Sequence, residues 1–468
     1  MPSFDTRVPA VLMRLDQNPF HHGTLGAVRS LGRAGIEVHT VVEAARGPVG
    51  HSRYLRRTHP RPDGCRDLAE IQRLLLQVSD RLGTPAVLIP MDDLSAITVG
   101  QLQSRLTGRY LLPEQPSGLP ERVADKAELV GICRDLGIPH PRTVIPGCAA
   151  EAADAVRSLG LPVIAKWSRP WLLPEAAGLR STVLVRSADE ARELYGRSAE
   201  AGSRLLLQEF LPHGRGLDWF FHGYSGAGGE CLVGAAGRKE RSWPVGAGLT
   251  AVGTWLPNPA VERTARQMVS ALGYRGILDL DFRRDTATGA YHLLDFNPRP
   301  GAQFRLFTDR SGTDVVRALH LDLTGRAVPV QAAAHGRTFV VENYALLSAL
   351  SVLPSGRARG TGRLGHDGVH TAGADGRGGA ADRSMAMEAA WFALDDPRPA
   401  YAMAVAFGLH AVRRGRSGLG RVLGGIATDR RRGDFGRHDP ALPRTTPVLR
   451  RGRSPAGSVR GVPVSQRP

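Results

Sequence analysis

The sequence predicts an α/β protein with an α+β region behind it. Short apolar runs alternate with helical periodicity near the N-terminus, strand patterns dominate beyond Leu211, and a Pro-rich stretch, Leu112–Pro120, separates the two regimes. In the first region Val8–Leu15 reads as a buried strand. Gly23–Ala34 has helical spacing (Leu25, Val28, Leu31), and Ile36–Val42 is strand-like. Leu68–Leu82 is a helix and Ala86–Pro90 a strand. Such alternation argues for an open, mostly parallel sheet. Ligands lie at the carboxyl ends of the strands in such sheets, which points to the loops Asp16–Gly23 and Met91–Asp93. His21 of the first loop is a candidate substrate contact, although loop histidines are usually incidental. Asp92 and Asp93 suit the gripping of an amine or, equally, the capping of a following helix.

Past the linker the pattern predicts helices over Val123–Leu136, Ala149–Leu159 and Val261–Leu272. Strands are expected at Val163–Lys166, Thr182–Val185, Leu205–Phe210, Trp219–Gly223, Glu230–Ala235, Gly276–Arg283 and Tyr291–Phe296. Residues 355–383 are rich in Gly, Arg, Ala and His and read as a flexible insertion. Helices at Met385–Leu394 and Ala400–Val412 are expected to dock on the body. The residues beyond Arg413 are rich in Arg, Gly and Pro with one aromatic, Phe435, and read as a disordered tail.

A chain of 468 residues, 42% of them hydrophobic, is long enough for two or three cored domains. Four scattered cysteines, Cys65, Cys133, Cys148 and Cys231, form no CxxC pair. They argue for a reducing, cytoplasmic setting rather than a disulfide or zinc framework. The N-terminus is a poor signal peptide, and no apolar run reaches the roughly 20 residues a membrane span needs. The formal charge of +17 is concentrated at the end, where residues 413–468 hold fourteen Arg against three Asp. That tail lacks the interleaved aromatics that stack on bases, so no nucleic-acid partner is expected.

Of 61 basic residues only three are lysines, Lys126, Lys166 and Lys239. An ammonium that persists against such a bias belongs where a planar guanidinium fits poorly, as at a single phosphate oxygen in a crowded site. Lys166 lies in an apolar strand, where an unpaired charge is costly. Lys239, between Arg238 and Glu240, reads equally well as a surface charge. A P-loop is excluded, because none of the three follows Gly and precedes Ser or Thr. Gly360–Gly365 spells GxGxxG but has no strand entering it and no helix leaving it, so it is no dinucleotide site.

All three lysines lie in the region past the linker that also carries Gly276-Ile-Leu-Asp-Leu-Asp-Phe and Tyr291-His-Leu-Leu-Asp-Phe-Asn-Pro-Arg-Pro-Gly301. Residues two apart on a strand share a face. Asp279 and Asp281 therefore point together, as do Asp295 and Asn297. A turn at Thr286–Gly289 would fold the two strands into a hairpin and gather Asp281, Asp295 and Asn297 into one patch. Two carboxylates and an amide are hard ligands that suit Mg²⁺. The alternative is two half-buried aspartates paired with arginines.

At this point the chain resembles the ATP-grasp superfamily, in its carboxylate–amine ligase-like branch, over about residues 120–330. The matching features come in the family's order: Ala124-Asp-Lys126, Gly137-Ile-Pro-His-Pro141, Val163-Ile-Ala-Lys166, Leu207-Gln-Glu-Phe-Leu211, then Asp281, Asp295, Asn297 and Arg299. The resemblance implies a pre-ATP-grasp domain (1–118) and an ATP-grasp domain (119–330) with a nucleotide lobe to about 212 and a metal lobe from about 213. A docking segment (331–412) and the tail (413–468) complete the expected organisation. The resemblance implies that Lys126 and Lys166 contact the α- and β-phosphates of ATP. Gln208, Glu209, Phe210 and Leu211 would meet adenine, and Asp218 the ribose. Asp281, Asp295 and Asn297 would hold Mg²⁺, with Mn²⁺ as a substitute. Arg299 would face an acyl phosphate, and Lys239 and Arg241 the γ-phosphate. Small-molecule carboxylate and amine substrates and a homodimer are likewise implied. Two features depart from the family. The loop after Lys166, residues 167–179, holds two prolines and one glycine where small residues usually close over phosphates, and Val245-Gly-Ala-Gly248 would be a substitute clamp. Asp295 stands where Glu is commoner. An ATP-binding regulator without turnover, and a binder of nucleic acid or anionic surfaces through the tail, are the alternative functions.

Overall fold

The computed structural model describes residues 2–42, 47–62, 64–174, 177–243, 249–352 and 387–410. Met1–Gly408 form one compact unit and Leu409–Pro468 a second, of which the two described residues, Leu409 and His410, are helical. The expected insertion at 355–383, the GxGxxG at 360–365, the clamp at 245–248 and the tail at 413–468 lie outside the described residues.

The first sheet is parallel, in the order β3-β2-β1-β4-β5. Its strands are β1 (Ala10–Met13), β2 (Val38–Val42), β3 (Leu55–Pro60), β4 (Ala86–Pro90) and β5 (Tyr110–Leu111). Helices α1 (His22–Arg33), α2 (Leu68–Leu82) and α3 (Asp93–Leu106) connect them. Strand β1 is buried throughout because helices and strands cover both its faces, which is why its sequence is apolar without alternation. Helix α2 begins at the Asp67 side chain, which caps Glu70 N, and stops at Gly83, whose φ of 67° few other residues adopt readily.

After the linker come α4 (Leu119–Ala124) and α5 (Lys126–Asp135). One continuous helix over Val123–Leu136 was expected; the helix instead breaks at Asp125. That carboxylate accepts from Ala127 N and Glu128 N and so opens a new helix at Lys126. A four-stranded antiparallel sheet follows, in the order β6-β9-β7-β8. It comprises β6 (Thr143–Val144), β7 (Val163–Trp167), β8 (Thr182–Val185) and β9 (Leu205–Glu209), backed by α6 (Ala149–Leu159), α7 (Ala188–Gly196) and α8 (Ser198–Ala201).

The third sheet has seven strands in the order β14-β13-β10-β11-β12-β15-β16. These are β10 (Asp218–Ser225), β11 (Cys231–Trp243), β12 (Leu249–Trp255), β13 (Gly276–Arg284), β14 (Tyr291–Asn297), β15 (Thr338–Val340) and β16 (Met387–Ala389). Helices α9 (Pro259–Leu272), α10 (Val315–Leu323) and α11 (Glu342–Val352) accompany them. The helix expected at Met385–Leu394 is not formed over its described part. Met387–Ala389 pairs with β15 as a parallel edge strand, and hydrogen bonding to that sheet overrides the helix propensity of Met, Glu and Ala. The next helix occupies residues 398–410.

Leu12, Val38 and Ile89 of the parallel sheet share one core with Ile277 of β13 and with Val316 and Leu319 of α10. Each such buried side chain is worth about 1.5–3 kcal/mol. This shared core fixes the carboxyl ends of β1 and β4 beside the large sheet. Among the described residues no helix is long and apolar enough to cross a membrane, and all four cysteines are free.

Candidate active site

Strands β13 and β14 pair antiparallel with Asp279 opposite Asn297 and Asp281 opposite Asp295, so the four side chains share one face. The register shifts after Asp281, and Leu294 next to the shift turns its carbonyl to accept Lys166 Nζ at 3.3 Å. The three lysines converge on this patch from three elements. Lys126, the first residue of α5, pairs with Asp295 Oδ1. Lys166 of β7 lies 3.6 Å from Asp295 Oδ2, and Lys239 of β11 lies 2.7 Å from Asp281 Oδ1. Lys126 is aimed by its surroundings: its backbone N–H donates to Ser168 O at 2.9 Å, and Asp125 is fixed in turn by Arg169 at 2.7 Å.

Burial would raise the Asp295 carboxyl, but Lys126 and Lys166 outweigh it and bring it down to about 2. Asp281 behaves oppositely. Burial, with Asp279 and Asp295 nearby, outweighs Lys239 and leaves it raised. Burial lowers Lys166, while acidic neighbours raise Lys126 and Lys239 against it.

Arg299 lies between two acids, with Nη1 2.7 Å from Asp279 Oδ2 and Nε 3.2 Å from Asp93 Oδ1. Lys126, Lys166, Lys239 and Arg299 therefore face Asp93, Asp279, Asp281 and Asp295, and the formal charges cancel. A dication with a polyphosphate suits such a set, since the metal takes the carboxylates and the phosphates take the ammoniums. Among the described residues no cluster of three or more His, Cys, Asp or Glu has metal-holding geometry. Two carboxylates and an amide are an incomplete cage, as Mg²⁺ sites that complete their shell with water and phosphate oxygens are.

Two clefts meet at this patch. One, of about 380 Å³, runs between the four-stranded and seven-stranded sheets and is lined by Ile164, Lys166, Leu184, residues 208–211, Asp218 and Asp295. The other, of about 490 Å³, opens toward the parallel sheet and is lined by His21, Asp93, Trp171, Arg299 and Tyr344 among others. Lys239 and Asp281 line both. These volumes lie within the range of small-molecule sites.

Some expected contacts are placed differently. The Glu209 carboxylate lines the first cleft but accepts from Arg142 N at 2.9 Å and Nε at 2.7 Å, so it is committed to fixing the chain before β6. Leu211 O accepts from Arg283 Nη1 at 3.0 Å, and Asp218 from Arg283 Nε at 2.6 Å. Gln208 donates to Thr143 at 3.0 Å. Phe210 lines the cleft beside them. Arg241 is exposed, follows an irregularity in the β11–β12 pairing, and lines neither cleft, so it stands apart from Lys239. Asp92 lines the second cleft but caps α3, taking Ser95 N at 2.9 Å and Leu15 N at 2.7 Å. His21 caps α1 through Nδ1, which accepts from Thr24 N at 3.1 Å; burial and nearby Arg14 hold the ring neutral. The loop after Lys166 makes a short turn, Pro170–Leu172, whose Pro170 and Trp171 line the second cleft. Arg66 Nη1 holds Trp171 O at 2.8 Å.

Two residues were missed. Asp279 was noted only as facing the same way as Asp281, and His222 sits unremarked in an aromatic strand. The register of β10 against β13, which places His222 opposite Asp279, joins segments far apart in sequence and leaves no local signal.

No protein-family model matches the chain. It is 21% identical over 240 residues to a D-aspartate ligase of Enterococcus faecium, covering 49% of this chain and 57% of that protein. The chain thus spans little more than half the length of that relative. The fold matches the L-amino acid ligase from Bacillus licheniformis with a TM-score of 0.52 at 16% identity, over 71% of this chain and 78% of that one. It matches the biotin carboxylase domain of Hydrogenobacter thermophilus 2-oxoglutarate carboxylase, in complex with MgADP, ADP and bicarbonate, with a TM-score of 0.54 at 15% identity, over 70% and 73% of the two chains. The fold is the ATP-grasp fold.

Proposed function

We propose that the chain is an ATP- and Mg²⁺-dependent ligase that joins a carboxylate to an amine through an acyl phosphate. The observation that carries this reading is the wall shared by the two clefts, where Lys239 and Asp281 face both. A nucleotide in the first cleft would present its γ-phosphate to a carboxylate in the second. The matched proteins, a D-aspartate ligase and an L-amino acid ligase, support joining of this kind.

In the first step a carboxylate oxygen bonds to the γ-phosphorus, the bond to the β-phosphate oxygen breaks, and ADP leaves. In the second the amine nitrogen bonds to the acyl carbon and phosphate departs with the bridging oxygen. Of the two protons an ammonium loses, one leaves with the phosphate and one is released. Lys126 and Lys166 hold the α- and β-phosphates, and Lys239 the γ-phosphate, where charge spreads in phosphoryl transfer. Asp281, Asp295 and Asn297 would hold Mg²⁺, which supplies charge neutralisation across the phosphates. Arg299 directs its guanidinium to the acyl phosphate, and Asp93, adjacent to it, faces the amine. The backbone of Phe210 and Leu211 borders adenine, and Asp218 the ribose.

The test is ADP release with Mg²⁺ across a panel of acid and amine pairs. Lys166→Met and Asp295→Asn should each abolish it; full turnover in both variants would refute the assignment. Tight ATP binding with no ADP formed across the panel would instead favour a regulator.

A further inference from the structure

The buried Asp279 carboxylate contacts three side chains. Its Oδ2 accepts from Arg299 Nη1 at 2.7 Å and from Asn297 Nδ2 at 3.4 Å, and its Oδ1 lies 3.0 Å from His222 Nε2. The same Asn297 nitrogen also donates to Asp279 O at 3.3 Å. The geometry follows from register: β14, β13 and β10 are neighbours, and Asn297, Asp279 and His222 stand directly across from one another. They form a row beside that of Asp295 and Asp281.

The row is fixed from behind. His222 is 0% exposed, with its ring centroid 5.2 Å from those of Phe220 and Phe307. The chain crosses over the pair at Gly301, where a Cβ would lie 2.2 Å from His222 Cε1 and 2.9 Å from Asp279 Cγ. Only glycine passes there without displacing them, which explains the residue that closes the Asn-Pro-Arg-Pro-Gly run.

We infer that Asp279, backed by the buried His222 ring, is a positioning residue that fixes which end of the Asn297 amide meets the metal and which way Arg299 points. An amide has a donor end and an acceptor end of nearly the same shape. A carboxylate on one side binds the NH₂ end, which commits the oxygen to the other side, where a cation requires it. The same carboxylate accepts from one arm of Arg299 while Asp93 lies in ion-pair contact with Nε, so the guanidinium has an acid on two sides. Asp279 lines the second cleft and not the first, so it acts on a nucleotide in the first through these neighbours.

This rests on Asn297 being a metal ligand, as proposed above. The test is Mn²⁺ binding, measured by electron paramagnetic resonance on the full chain with a non-hydrolysable ATP analogue, beside binding of the same analogue without metal. Asp279→Asn should weaken Mn²⁺ at least tenfold, since its amide can turn an NH₂ toward Asn297, and should leave metal-free nucleotide affinity within twofold. His222→Phe should weaken Mn²⁺ less, and His222→Gln, which keeps a polar group beside the carboxylate, should recover most of the loss. Unchanged Mn²⁺ affinity in Asp279→Asn overturns the inference. So does equal loss of metal and metal-free nucleotide binding in the His222 variants, which would make the row merely structural. If the wild-type chain itself binds no Mn²⁺ with the analogue, the metal reading falls and this inference with it.

Discussion

Lys166 and Asp295 show how a residue's neighbours set its chemistry. An ammonium 8% exposed in the middle of a sheet is tolerable only beside a carboxylate or a phosphate. Lysine scarcity made these three positions legible in the sequence, and the alternation of the β13–β14 hairpin made the acids legible. What the sequence hid was commitment. Glu209 and Asp92 have the right type and place, yet their oxygens are taken by Arg142 and by the start of α3. Arg299 is the sharper case, because its role depends on two partners in different directions. A lysine cannot span both, so Arg299→Lys should lower ADP release about 10²-fold with little change in ATP affinity; a variant within twofold of wild type would argue against it. His22 gives a residue-scale stability prediction. It is 3% exposed, and burial lowers it to about 4. The unfolded chain then binds a proton below about 6.5 that the native ring refuses. This contribution is therefore full above pH 6.5 and falls away as the pH drops toward 4, by about 3 kcal/mol. Urea midpoints at pH 7 and pH 4.5 should differ less in His22→Gln than in wild type.

At the scale of elements, the hairpin, α2, α6, β4 and β8 could be read directly, since each is bounded by polar or turn residues and has one clear period. Strand β11 could not be read to its end. Its remainder, Ala236 to Trp243, holds two small residues and then four consecutive charges, so no apolar alternation marks it. That is why Lys239 reads equally well as a surface charge in the sequence although β11 carries it into the site. The short segment after β16 illustrates packing that no local pattern announces. Asp396, 2% exposed, accepts from Arg29 Nε at 3.0 Å, Ser52 Oγ at 2.7 Å and Arg53 N at 2.9 Å. Arg29 Nη2 also donates to Trp391 O at 2.7 Å. These bonds tie α1 of the parallel sheet to the edge of the seven-stranded one. Removing one partner strands a buried guanidinium, so Asp396→Ala should cost about 3–5 kcal/mol in urea unfolding. A loss under about 1 kcal/mol would show that the contact carries little.

For the molecule as a whole, the site belongs to no single sheet. Lys166 comes from the four-stranded sheet, Asp279, Asp281, Asp295 and Lys239 from the seven-stranded sheet, and Asp93 from the start of α3 beside the parallel one. The sequence could place Lys166 and the hairpin acids on their strands but not Lys239, and the shared wall between the clefts appears only when the sheets are packed. The basic tail plays no part in this account, so deleting residues 413–468 should leave nucleotide binding and turnover unchanged; a large loss would return weight to an anionic partner. The claim on which all else depends is that three ammoniums and two carboxylates close on one magnesium triphosphate. Calorimetric titration of a Mg²⁺-loaded, non-hydrolysable ATP analogue tests it most directly. The account predicts one site per chain, weakened at least tenfold by either Lys166→Met or Asp295→Asn. No binding, or the same affinity in both variants, would contradict it.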